Sequence, residues 1–109
     1  MSEPFIGRLL PWMNAEGKPC FLISGDDGQV ARVADQMERI QLGMADDLLG
    51  HANATLADDE ATPGQLRYVA TCLTESLRQV QVIAKSRGDR LTALGYDSDD
   101  IWQRRSGEQ

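Results

Sequence analysis

The chain has 109 residues, a formal net charge of -6, 41% hydrophobic residues and 26% charged residues. That size and balance suit one globular domain and exclude a disordered chain. The acidic sum disfavours binding to a phosphate backbone, because nucleic-acid binders concentrate positive charge. No apolar run approaches the ~18 residues that span a bilayer, and the first residues lack the basic, apolar and cleavage segments of a signal peptide, so a cytoplasmic location is expected.

The first predicted element is a β-hairpin over residues 5–24. Gly7-Arg8-Leu9-Leu10-Pro11-Trp12-Met13 and Lys18-Pro19-Cys20-Phe21-Leu22-Ile23-Ser24 flank Asn14-Ala15-Glu16-Gly17. Asn at the start and Gly at the end of so short a loop suit a type I turn closed by a left-handed glycine and a bulge. Pro11 and Pro19 cannot donate ladder hydrogen bonds, which places both strands at sheet edges or turns those positions outward. A lone ribbon is marginal in water, so Phe5, Leu9, Trp12, Phe21 and Ile23 are expected to pack on the helices or on another chain.

Two long helices follow, over residues 26–58 and 62–87. Asp26 with Gln29 marks the first start, and Thr62-Pro63-Gly64-Gln65 combines a capping box with proline at the first helical position. With only a few acidic residues between them, Asp58-Asp59-Glu60 included, the two helices form an αα-hairpin. On helix 1 the apolar face is Val30, Ala34, Met37, Ile40, Met44, Leu48, Ala52 and Thr55, widened in its second half by Leu42, Ala45, Leu49 and Leu56. On helix 2 the stripe is Leu66, Val69, Ala70, Leu73, Leu77, Val80 and Ala84, and the helix is expected to end at Gly88 after Lys85 and Arg87. Residues 88–109 read as a short helix and a tail containing Leu91, Leu94, Ile101 and Trp102. The fold class is mainly α, or α+β.

One partner helix and a small β-hairpin cannot cover the widened face of helix 1. A second copy, closing a four-helix bundle as a homodimer, is the expected solution. The alternative is a monomer in which the C-terminal segment folds back over that edge. Gln41, Leu42, Leu49 and Leu56 are the expected interface residues; Gln41 lies within the apolar stripe, where a buried amide can fix register. Trp12 and Trp102 are candidate partner contacts, since exposed tryptophan is costly and common at hot spots.

No catalytic constellation, metal-ligand spacing or nucleotide-binding loop is present, so no enzyme activity or cofactor is predicted. His51 is the only histidine. Asp47 one turn earlier could orient it, but two residues on one helix make a weak acid-base or metal site, and a packed or interfacial role is expected. Cys20 and Cys72 lack CxxC spacing and are expected to be reduced. Arg67, Arg78 and Lys85 align along one side of helix 2 and read as a solvated face meeting acids such as Glu38 or Asp46, with a phosphate-binding edge as the sharper alternative.

The strings Gly7-Arg8-Leu9-Leu10-Pro11-Trp12, Gly17-Lys18-Pro19-Cys20 and Gln41-Leu42-Gly43-Met44 resemble those of a group of short uncharacterised actinobacterial proteins, over roughly residues 5 to 90. The resemblance implies small free-standing chains acting as regulatory or accessory partners, with no activity or site attached. The expected function is therefore a non-enzymatic, cytoplasmic interaction protein acting through a helical homodimer surface, with self and an unidentified protein as partners. A small-ligand-binding bundle with a cavity near Gln41, Met37, Met44 and His51 is the alternative, and a nucleic-acid accessory protein using the Arg67, Arg78 and Lys85 edge is a third.

Overall fold

The computed structural model describes residues 7–23 and 28–95. Two antiparallel strands, β1 (Gly7–Met13) and β2 (Pro19–Ile23), precede two long helices, α1 (Gly28–Ala57) and α2 (Pro63–Ala93). The expected β-hairpin and αα-hairpin are both present. Phe5, the Asp26 start signal and Trp102 lie outside the described residues.

The turn forms as its sequence requires. Asn14 Oδ1 accepts from the backbone N–H groups of Glu16 and Lys18, both at 2.9 Å, and Gly17 takes φ +75°, which a side-chain-bearing residue rarely adopts. Leu9 pairs with Phe21 and Met13 with Pro19, so β1 takes four steps where β2 takes two. The irregular stretch contains Pro11, where a missing N–H costs the ladder nothing. Pro19 stands at the first position of its strand.

The cap on α2 is the one the sequence specifies. Thr62 Oγ1 accepts from Gln65 N at 3.1 Å and Gln65 Oε1 accepts from Thr62 N at 2.8 Å. The C-terminus differs from expectation: α2 runs through Gly88 to Ala93 instead of stopping at residue 87, and residues 88–93 are not a separate short helix. A glycine inside a helix costs only about 1 kcal/mol, and Lys85–Asp89 and Thr92–Gly88 contacts span it. The stop signal is Leu94-Gly95, with Leu94 N donating to Arg90 O, Gly95 N donating to Thr92 O and Gly95 at φ +94°.

The helix phase also needs correction. Along α1 the residues that lose solvent follow a heptad of mostly small or polar side chains: Ala34, Glu38, Gln41, Ala45, Leu48, Ala52 and Thr55. Along α2 the matching set is Val69, Cys72, Ser76, Gln79, Ile83, Ser86 and Arg90. Met37, Ile40 and Met44 on α1, and Leu66 and Leu77 on α2, are exposed. Small side chains bring the two backbones together along the seam. The larger apolar residues, rotated about 100° away, face outward.

The β-ribbon sits on the open end of the αα-hairpin. Leu9 and Leu10 are buried there with Ala34 and Ile83 in the core, while Phe21 and Ile23, expected to pack on the helices or on another chain, are more than half exposed in the single chain. Three side chains anchor β1 to both helices: Arg8 reaches α1, Ser86 Oγ donates to Leu9 O at 2.7 Å, and Gln41 Nε2 donates to Pro11 O at 3.3 Å.

Candidate functional site

Because α1 and α2 run antiparallel, residues one step after a seam position on either helix rotate to the same side of the hairpin, and residues one step before it rotate to the opposite side. Leu42, Leu49 and Leu56 follow Gln41, Leu48 and Thr55. Leu73, Leu77, Val80 and Ala84 follow Cys72, Ser76, Gln79 and Ile83. Both sets, with Leu66 and Ala70 extending the second, thus form one apolar face. On it Leu49 is 56% exposed, Leu56 69% and Leu77 61%. Leu42, Leu73 and Val80 are half-buried.

The opposite side confirms the geometry. His51 and Tyr68, each one step before a seam residue, line a common cavity of about 290 Å³ with Asp58 and Gln65. The neighbouring Cys72 side chain, and after it desolvation, pushes the Tyr68 phenol above its ordinary range. His51 is exposed. Among the described residues, no group of three or more His, Cys, Asp or Glu is placed to hold a metal ion.

Further along that side, a cleft of about 400 Å³ runs between the β-ribbon and α2. Trp12, Phe21 and Val82 line it, Gln41 stands in its wall, and Arg78 and Lys85 border it. Trp12, expected as a partner contact, therefore faces this cleft and is half-buried. The cavity expected near Gln41 exists, but neither Met44 nor His51 lines it: ten residues separate Gln41 from His51, about 15 Å along a helix. Gln41 itself is buried within the chain, where its Nε2 serves Pro11 O and its Oε1 has no partner.

Glu38 organises the remaining charge. It is 2% exposed, with Arg8 at 3.2 Å, Arg87 at 3.3 Å and Arg90 at 4.0 Å; Arg8 also reaches Asp35 at 2.7 Å. Burial, then repulsion from Arg8, lowers the Arg90 pKa, while Glu38 and Asp35 act in the opposite direction and Arg87 adds to the depression. Of the basic residues expected to meet Glu38 or Asp46, Arg78 and Lys85 pair elsewhere, with Glu75 at 3.8 Å and Asp89 at 3.2 Å, all exposed. Arg8 and Ser86 were not apparent as site residues from sequence, because their partners lie far along the chain.

No family model matches the chain, and no curated protein or solved structure matches it significantly. The geometry therefore stands alone as the basis for a functional reading. Among the described residues no helix is long and apolar enough to cross a membrane. Cys20 and Cys72 are free thiols.

Proposed function

We propose that this protein is a non-enzymatic, cytoplasmic interaction or accessory protein that works as a homodimer, two αα-hairpins closing into a four-helix bundle. The observation that carries the reading is the continuous outward face formed by Leu42, Leu49 and Leu56 with Leu66, Leu73, Leu77 and Val80. Full burial of a leucine is worth about 1.5–3 kcal/mol, so covering several per chain is comparable with the whole stability of a small domain, about 5–15 kcal/mol. A second copy fits because its own face repeats the same heptad and a two-fold axis makes the patch self-complementary. Gln41, expected at the interface, is instead buried on the seam, where its amide holds β1 through Pro11 O.

The test is Leu49→Asp, read by light scattering after size exclusion. Since Leu49 projects into solvent in the single chain, the variant is expected to keep its helix content and elute as a monomer while the unmodified chain elutes as a dimer. A monomer in both samples would overturn the reading.

The cleft beside Gln41 supports a second reading, small-ligand binding, because its volume falls within the range of ligand pockets. It lies beside the β-ribbon, however, and not inside the helical bundle.

A further inference from the structure

The cleft between β1 and α2 combines an apolar slot with one unmet hydrogen-bonding group. Trp12, Phe21 and Val82 line it, and Gln41 in its wall is 9% exposed with Oε1 lacking a donor. Buried acceptors without a donor are uncommon in native proteins. The slot therefore suits a ring that is apolar over its faces and carries an N–H or O–H at one edge. Its volume of about 400 Å³ lies near the lower end of ligand pockets, which favours a single compact ring system.

The chain carries such a ring within reach. α2 stops at Leu94-Gly95, and Trp102 follows seven residues after Gly95. At about 3.3 Å per residue those seven residues span about 23 Å when extended, whereas Val82 lies thirteen residues before Gly95, about 20 Å along the helix axis. Indole offers a broad apolar face, a single N–H and no acceptor. Phe5 has no donor, and Tyr96, one residue past Gly95, falls short of the cleft. The charges follow a matching order. Going from the end of α2 towards its start, the cleft presents Lys85, then Val82, then Glu75; the chain after Gly95 presents Asp99-Asp100, then Ile101-Trp102, then Arg104-Arg105. Lys85 and Glu75 already have exposed, weak partners on α2, so the charges favour this direction while the ring supplies the affinity.

We propose that residues 99–105 of this chain fold back along α2 and seat the Trp102 indole in the cleft, its N–H donated to Gln41 Oε1. The tether makes the contact intramolecular, so a modest intrinsic affinity suffices to fill the slot. The cleft is then closed to other ligands until the tail is displaced. It lies on the side of the hairpin opposite the leucine face, so the contact does not depend on the homodimer.

The test uses the full chain, isotopically labelled for magnetic resonance, with free indole as the probe. The Trp102 indole N–H is expected to exchange slowly and its ring protons to cross-relax with the Val82 methyls, independently of protein concentration. Trp102→Ala, beyond the end of α2, is expected to keep the helix content and open the cleft, so that indole binds the variant at least about tenfold more tightly than the parent. 1-Methylindole, which keeps the ring and loses the donor, is expected to bind the variant at least about tenfold more weakly than indole. Cross-relaxation of Trp102 with the Leu42 or Leu49 methyls would place the tail on the leucine face, and protection that grows with protein concentration would assign the occupant to a second copy. Either result, equal binding of indole by parent and variant, or equal affinity of the variant for indole and 1-methylindole would overturn the proposal.

Discussion

Arg8 on β1 and Glu38 on α1 meet at 3.2 Å across thirty positions of sequence, the arginine 10% and the carboxylate 2% exposed. The pair ties the ribbon to the helices, and Arg87 from α2 completes it on the other oxygen. Removing the carboxylate would leave Arg8 buried with only the half-exposed Asp35 as an acidic partner. Glu38→Ala is therefore expected to cost about 3–5 kcal/mol, while Asp35→Ala, half exposed on the same arginine, costs no more than about 1 kcal/mol. Urea denaturation of the two variants checks the ratio.

Ser86→Ala removes the donor to Leu9 O at a buried site. A stranded buried acceptor costs about 1–3 kcal/mol, and the loss should fall on the ribbon more than on the helices. Amide exchange should accelerate across β1 and β2 with little change along the middle of α1. Uniform acceleration throughout would show that the ribbon and the helices unfold as one unit.

Gly88 and Gly95 give opposite predictions. Gly88 lies inside α2 with nothing within 4 Å of an added Cβ, whereas Gly95 holds φ +94°. Gly88→Ala should stabilise by about 0.5–1 kcal/mol through helix propensity, and Gly95→Ala should destabilise by a similar amount or more through strain. Thermal unfolding of both variants, monitored by circular dichroism, checks the signs.

These positions also show what sequence could and could not reveal. The Asn14–Gly17 turn and the Thr62–Gln65 cap are closed by neighbours within four residues, so their chemistry is visible locally. The end of α2 was misplaced because Gly88 carries the same letter as a true terminator; its φ is set by the helix on either side. The phase of α2 was misread for a different reason. The longest apolar stripe is not the buried one, because Ser86 and Glu38 are made burial-tolerant by partners 77 and 30 positions away and small residues win the seam by allowing close approach. The widened Leu42, Leu49 and Leu56 edge was legible as an excess, since periodicity counts apolar positions. What covers it was not.

Leu77 illustrates the consequence. At 61% exposure it contributes little to the packing of a lone chain, so Leu77→Ala should leave the unfolding free energy of the monomer within about 0.5 kcal/mol of the parent, as a surface change does. It should nevertheless weaken dimerisation, and the apparent stability should fall as protein concentration is lowered. Denaturation at several concentrations separates the two effects, and a large concentration-independent loss would place Leu77 in the core of the single chain.

Self-association through the leucine face is tested most directly by sedimentation equilibrium of the unmodified chain at micromolar concentration. The expected result is a mass twice that of the 12.0 kDa chain, reduced to the single-chain mass by Leu49→Asp with helix content retained. A single-chain mass for the unmodified protein with native helix content, or a dimer untouched by Leu49→Asp, would contradict it.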